Sequence, residues 1–115
     1  MDQFHDNNTT KRLADLRKRG EESLMQSLAP QYGITYIDLH GITINPEALM
    51  KISEDKARQA NVIAFALMRQ NLSVAVMAPQ EANTNRLLDE LKQAGYTLTV
   101  FLASRASIEH GLLRY

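Results

Sequence analysis

The chain has 115 residues, a length that suits one domain with a single hydrophobic core. Its 13 basic and 13 acidic side chains cancel, so we expect no nucleic-acid partner and no attraction to an anionic membrane. The absence of cysteine excludes disulfides and thiolate metal sites, and no apolar run approaches the roughly 20 residues that insert across a membrane.

The start of the chain is predicted to be a polar tail followed by a helical segment. Residues 1–8 hold one large apolar side chain and are predicted to be disordered. Residues 9–30 are predicted to be helical, because their leucines recur at intervals that suit one helix face. These leucines are Leu13, Leu16, Leu24 and Leu28. Pro30 is predicted to end or kink the helix, since proline lacks a backbone donor.

A strand and a divided helix are predicted next. Residues 34–39 form an apolar run that predicts the first strand. Asn45 is a good helix cap and Pro46 a good first helical residue, because the N–H that proline lacks would have no intrahelical partner there. Ser53 is a second cap, so the helix is predicted to break near it and to stop at Asn61.

Two apolar runs then predict a β-hairpin. Residues 62–68 and 72–78 are separated by the polar residues 69–71, a connection of the length that joins antiparallel strands. Asn83 or Thr84 is predicted to cap the helix that follows.

The remaining pattern predicts a helix, a strand and a helix. The first helix is predicted to end at Gly95, residues 97–103 alternate as a strand does, and Ser104 or Ser107 is predicted to start the last helix. The fold class is therefore α/β, of the α+β type. We expect a small sheet of about four strands with an antiparallel hairpin, covered by helices and preceded by the N-terminal helical segment. The pattern leaves the strand order open.

Five short segments carry a resemblance that covers residues 28–115. They are L-A-x-x-Y-G-I-x-Y-I-D-L at 28–39, I-N-P-E-A-L at 44–49, A-R at 57–58, L-S-V-A-V-M-A-P at 72–79 and S-I at 107–108. In this order they resemble the N-terminal domain of the type II secretion and type IV pilus assembly ATPases, the general secretory pathway protein E family. Residues 31–115 are accordingly expected to form the α/β domain of this kind.

The resemblance implies a non-catalytic docking or regulatory domain. Its expected partner is an inner-membrane platform protein or a cytoplasmic adaptor protein, to which it would link a hexameric motor. The implied location is cytoplasmic and peripheral to the inner membrane through those partners. The sequence contains no G-x-x-x-x-G-K-[ST] loop, so we expect no enzymatic activity of this chain and place ATP hydrolysis beyond Tyr115.

The N-terminal helical segment is the predicted partner-binding surface, because its apolar stripe is not needed to cover a small sheet. The candidate contact residues are Leu13, Leu16, Arg17 and Leu24.

Two other functions remain open. Some domains similar to this one bind cyclic di-GMP through two copies of a motif that opens R-L-G. One copy is echoed here, with Ala14 in place of the glycine, and its candidate residues are Arg12, Leu13, Gly20 and Gln31. The other possibility is a free-standing small α/β protein of unrelated role.

We predict no catalytic residue, no cofactor and no metal site. His5, His40 and His110 have no pairwise helical spacing that would bring two imidazoles onto one metal. Asp38, at the end of the first predicted strand, is interpreted as an acid that binds nearby backbone amides.

Overall fold

A computed structural model describes residues 19–115 of the chain. The predicted disordered tail and the first part of the predicted helical segment lie outside the described residues. The same holds for four of the candidate site residues, namely Arg12, Leu13, Leu16 and Arg17.

Within the described residues, helix α1 covers 19–32 and continues past the predicted end at Pro30. The helix ends in a Schellman motif, in which the Gly33 amide donates to the Pro30 carbonyl at 3.1 Å and the Ile34 amide donates to the Ala29 carbonyl at 3.2 Å. Gly33 has a φ of 69°, which glycine adopts without steric cost. The stop signal that decides the end of α1 is therefore Gly33 rather than Pro30.

Strand β1 is short, spanning Thr35–Tyr36, whereas the apolar pattern predicted a strand over 34–39. A 3-10 helix, Leu39–Gly41, replaces the end of the predicted strand. The Asp38 carboxylate accepts a hydrogen bond from the His40 amide at 3.0 Å, which turns the chain away from the sheet.

The divided helix is confirmed. Helix α2, Pro46–Leu49, is capped by Asn45, whose side-chain oxygen lies 2.8 Å from a first-turn amide nitrogen. Helix α3, Glu54–Ala60, is capped by Ser53. It ends at Asn61, which has a φ of 54° and occupies the left-handed region that asparagine tolerates better than most residues.

The predicted hairpin is also confirmed. Strand β2, Val62–Met68, pairs antiparallel with β3, Asn71–Val76, through a connection one residue shorter than predicted. The register shifts at Phe65, which forms a β-bulge. The Phe65 carbonyl accepts a hydrogen bond from the Asn45 amide at 3.0 Å, so the bulge attaches the start of α2 to β2.

Helix α4, Ala82–Gln93, follows the hairpin. The prediction that Asn83 or Thr84 caps it is wrong, because the cap position is Glu81 and carries no side-chain hydrogen bond. Thr84 is buried, and its hydroxyl donates to the Ala60 carbonyl at 2.9 Å. Thr84 therefore joins α4 to α3.

Strand β4, Thr97–Leu102, and helix α5, Arg105–Leu112, complete the fold. Gly95 precedes β4 with a φ of 103°, as the predicted glycine stop requires. Ser104 caps α5, and its hydroxyl oxygen accepts from the Ser107 amide at 3.1 Å.

The four strands form a mixed sheet in the order β1-β4-β3-β2. Strand β4 is parallel to both of its neighbours, and β2 and β3 are antiparallel. The carboxyl ends of β1, β4 and β3 therefore meet at one edge of the sheet. The α/β class with about four strands and a hairpin is confirmed.

The core lies between the sheet and the helices. Its largest fully buried side chains include Leu39, Ile52, Ile63, Leu72, Leu102 and Ile108. Helix α5 approaches β2 so closely that a Cβ atom on Gly111 would lie 2.8 Å from a side-chain carbon of Ile63. Within residues 19–115, none of the helices has the length and apolar character needed to cross a membrane.

Candidate functional site

Helix α1 is the most exposed helix of the described structure. Of its residues 19–32, Ala29 alone is buried. Leu24, a predicted partner contact, is 58% exposed. The helix thus presents this apolar side chain to solvent.

Glu22 attaches α1 to the edge of the sheet where the parallel strands end. One of its carboxylate oxygens accepts a hydrogen bond from the Tyr36 hydroxyl, at the end of β1. The other accepts from the Ser104 hydroxyl, two residues after the end of β4 and at the start of α5. A single side chain of α1 is therefore bonded both to β1 and to the residue that caps α5.

The electrostatics of this contact keep Tyr36 protonated. Burial raises the pKa of Tyr36 well above its ordinary value of 10.0, and the hydrogen bond and charge of Glu22 raise it further, as does the charge of Asp38. Tyr36 consequently stays a hydrogen-bond donor to Glu22 throughout the physiological range.

The hydrogen bonds continue from Ser104 toward Asp38. Ser104 accepts from the Ser107 amide, and the Ser107 hydroxyl lies 3.3 Å from the Asp38 carboxylate. The Ser107 oxygen also accepts from the Leu39 amide at 3.1 Å. We call this chain of residues the serine network; it consists of Glu22, Tyr36, Asp38, Leu39, Ser104 and Ser107.

Asp38 is ionised in this setting. Its partial burial opposes ionisation, but hydrogen bonds from the His40 ring and amide, the His40 charge and the Ser107 hydroxyl together hold the pKa of Asp38 below 3.8. The sequence interpretation of Asp38 as an acid that binds a nearby amide agrees with its hydrogen bond to His40.

Two histidines meet beside this network. The rings of His40 and His110 have centroids 4.4 Å apart and planes inclined by 34°. Helical spacing did not indicate this pair, because the contact arises where the 3-10 helix packs on α5. In the part of the chain that the structure describes, no group of three or more histidine, aspartate or glutamate side chains is arranged to hold a metal ion.

Two grooves flank α1. The larger, of about 460 Å³, is lined mainly by polar side chains that include Arg19, Gln26, Asp38 and His40. The smaller, of about 140 Å³, is bordered by Leu24 and is mostly apolar. Its other lining residues are Glu21, Met25, Met77, Ser104 and Arg105.

The cyclic di-GMP candidates within the described residues do not meet at one point. Gly20 and Gln31 are both exposed and lie on α1, about 16 Å apart along its axis at 1.5 Å per residue. Among residues 19–115, and apart from the adjoining helix backbone, no heavy atom lies within 4 Å of the position that a Cβ on Gly20 would take.

Sequence reasoning missed several residues around α1, namely Glu22, Met25, Tyr36 and Met77. Glu22 carries no local signal, because its partners are 14 and 82 positions away in the chain. Ser104 and Ser107 were recognised as helix starts, and that signal does lead to the serine network.

Comparisons with known proteins identify the family. The model of the MshEN domain matches residues 32–115. The structure of MshE with cdg is 26% identical in sequence, with a TM-score of 0.73 over 97% of this chain and 83% of that chain. The N-terminal domain of XpsE shares the fold at 17% identity, with a TM-score of 0.64 over 90% of this chain and 74% of that chain. The comparison with curated proteins found no match. The family match covers well over half of the sequence, so the chain belongs to the MshEN domain family, the N-terminal domain of type II secretion and type IV pilus assembly ATPases.

Proposed function

We propose that this domain docks its ATPase to a platform or adaptor protein of a secretion or pilus machine, and that α1 provides the contact surface. The MshEN domain is distinct from the ATPase catalytic domain, so its own role is not catalysis. The observation that carries the proposal is the exposure of Leu24 beside an apolar groove. Family membership argues against the third hypothesis, a small protein of unrelated role.

The groove beside Leu24 suits an apolar side chain of a partner. Its volume of about 140 Å³ accommodates one side chain of leucine size. Met25 and Met77 line it, and methionine adapts its shape to different occupants because it is unbranched and flexible. Burial of each large apolar side chain at such a surface contributes about 1.5–3 kcal/mol.

The remainder of the proposal concerns the whole assembly. The sequence pattern extends the same apolar stripe to Leu13 and Leu16, with Arg17 beside it. In this proposal the domain works in the cytoplasm, is held at the inner membrane through its partner, and belongs to a hexameric motor.

Substitution of Leu24 tests the docking surface. Leu24→Asp is compared with Leu113→Asp, since Leu113 is a leucine that is 82% exposed but lies beyond the end of α5. We expect Leu24→Asp to weaken binding of the purified platform or adaptor domain by about tenfold or more, which corresponds to about 1.4 kcal/mol. Titration calorimetry measures the affinity. The proposal would be contradicted if Leu24→Asp, Leu113→Asp and the unmodified protein bound the platform domain with one affinity and the adaptor domain with one affinity.

Cyclic di-GMP sensing is the second candidate function. It is favoured by the structure of the 26% identical MshE with cdg, that is, cyclic di-GMP, and by the groove of about 460 Å³ beside α1, whose lining residues include Arg19 and His40. The candidate ligand contacts are Arg12, Leu13, Gly20 and Gln31.

Calorimetric titration with cyclic di-GMP tests this candidate. If the domain senses the nucleotide, binding releases or absorbs heat, raises the melting temperature, and is lost in Arg12→Ala. The matched control is Arg69→Ala, in the hairpin connection. An absence of heat and of any change in melting temperature excludes sensing and leaves docking unaffected.

A further inference from the structure

The contact between His40 and His110 has no part in the docking surface at Leu24. It lies between the 3-10 helix and the last turn of α5, with the ring centroids 4.4 Å apart. The His40 ring also contacts Asp38, because its Nδ1 atom lies 2.9 Å from a carboxylate oxygen of that residue. The two rings are therefore held in contact by the fold.

The charge on this pair depends on pH. Histidine is the side chain whose ordinary pKa lies closest to physiological pH, and two protonated imidazoles in contact repel each other. While at least one ring is neutral, this repulsion is absent.

Charged groups surround the pair. Asp38 faces His40, with a carboxylate oxygen 2.9 Å from the His40 Nδ1 atom. Arg19 and Glu22 of α1 line the same groove as His40. Burial lowers the pKa of His110 below 6.5, the charges of His40 and Arg114 lower it further, and Asp38 opposes them.

We propose that the His40–His110 pair is a pH-sensitive contact that holds the 3-10 helix against α5 while one ring is neutral and loosens that packing when both rings are protonated. This inference does not depend on the docking function.

A series of hydrogen bonds connects the 3-10 helix to α1, so loosening of the 3-10 helix can affect α1. Asp38 and Leu39, in and next to the 3-10 helix, are both hydrogen-bonded to Ser107. Ser107 is in turn bonded to Ser104, which donates to Glu22 of α1. Acidification is therefore expected to weaken the attachment of α1 to the sheet.

The sign of the pH effect follows from the direction of the His110 pKa shift. The unfolded chain binds a proton at His110 near pH 6.5, whereas the folded protein binds it at lower pH. The free energy of unfolding therefore falls as the pH decreases through 6.5 toward the lower pKa of the folded state.

An NMR titration of the 115-residue protein between about pH 8 and pH 5, the window around the ordinary histidine pKa, tests the proposal. We expect His110 to titrate below 6.5 and to shift upward toward 6.5 in His40→Asn. We expect the Leu39 and Ser107 amide signals to move with the His110 midpoint. Arg69→Ala, in the hairpin connection, is the control and leaves the His110 midpoint unchanged.

Chemical denaturation at the two ends of this pH window gives a second measurement. Acidification raises the unfolding equilibrium constant by a certain factor. We expect this factor to be about threefold larger in the unmodified protein than in the double variant His40→Asn, His110→Asn. Parallel pH profiles, or a His110 midpoint that is the same with and without His40, would overturn the proposal. If the variants do not fold, the unmodified protein still tests the proposal. Leu39 and Ser107 amide signals that do not change with the His110 midpoint would also overturn the proposal.

Discussion

The hydroxyl of Ser104 donates a hydrogen bond to the carboxylate of Glu22, although the two residues are 82 positions apart in the chain. Ser104 is fully buried and Glu22 lies on a helix that is otherwise mostly exposed. Because the same carboxylate also accepts from Tyr36, the attachment of α1 is concentrated in one polar side chain at the carboxyl ends of β1 and β4.

Removal of the Glu22 carboxylate should destabilise the domain. In Glu22→Ala the buried Ser104 hydroxyl and the half-buried Tyr36 hydroxyl lose their acceptor, so we expect a loss of about 1–3 kcal/mol in the free energy of unfolding. Urea denaturation measures this loss. The matched control is Glu21→Ala, an exposed neighbour, for which we expect a change within about 0.5 kcal/mol. Equal stability of the two variants would show that the carboxylate does not hold α1.

The raised pKa values of two tyrosines predict that the domain loses stability at alkaline pH. Burial raises the pKa of Tyr115 to about 12, with a smaller contribution from the charge of Glu54, and Tyr36 is also raised above 10.0. The folded protein therefore keeps protons that the unfolded chain releases, and the free energy of unfolding falls as the pH rises above 10.0.

An absorbance titration checks the tyrosine prediction. Of the four tyrosines, Tyr36 and Tyr115 should ionise late, and Tyr115→Phe should remove the step near pH 12. A step near pH 12 that persists in Tyr115→Phe would assign it to another group.

Gly111→Ala should destabilise the packing of α5 on β2. The added Cβ would lie 2.8 Å from the Ile63 side chain, which is completely buried, so either α5 or the core around Ile63 has to shift. We expect a loss of about 1–3 kcal/mol, measured by thermal or urea unfolding. Gly41→Ala is the control, because no heavy atom lies within 4 Å of its added Cβ. Ile63→Val combined with Gly111→Ala should lose less than the sum of the two single variants.

Thr84→Val should weaken the junction of α3 and α4. Valine keeps the shape of threonine but removes the hydroxyl that donates to the Ala60 carbonyl at 2.9 Å, at a position that is fully buried. The expected cost is about 1–2 kcal/mol in the free energy of unfolding. Thr97→Val, at an exposed strand position, should change stability by less than about 0.5 kcal/mol. A smaller effect at Thr84 than at Thr97 would contradict the role assigned to its hydroxyl.

Local chemistry explains which elements could be predicted from the sequence. Asn45, Ser53 and Gly95 act through their own backbone and near neighbours, so the helix boundaries that depend on them agree with the structure. The early end of β1 depends on a hydrogen bond that the Asp38 carboxylate accepts from the His40 amide, which competes with the strand pattern. Strand order has no local signal.

The candidate site was less predictable from the sequence, because most of its contacts join residues that are far apart in the chain. The apolar periodicity of one helix is sufficient to make Leu24 a candidate contact. Glu22, by contrast, has its partners in β1 and at the start of α5, and His40 meets His110 only after the 3-10 helix packs on α5. Such contacts between distant parts of the chain follow from the strand order, which the sequence pattern left open.

The bulge at Phe65 also affects how copies of this domain behave when they are crowded together. Strand β2 is the last strand on its side of the sheet, and a regular strand in that position can recruit a strand from another molecule. The Phe65 carbonyl, however, is already occupied by the Asn45 amide, and the irregular register interrupts the row of free backbone groups. The edge therefore cannot serve as a continuous template for intermolecular strand addition, which protects a densely packed assembly from aggregation through this strand.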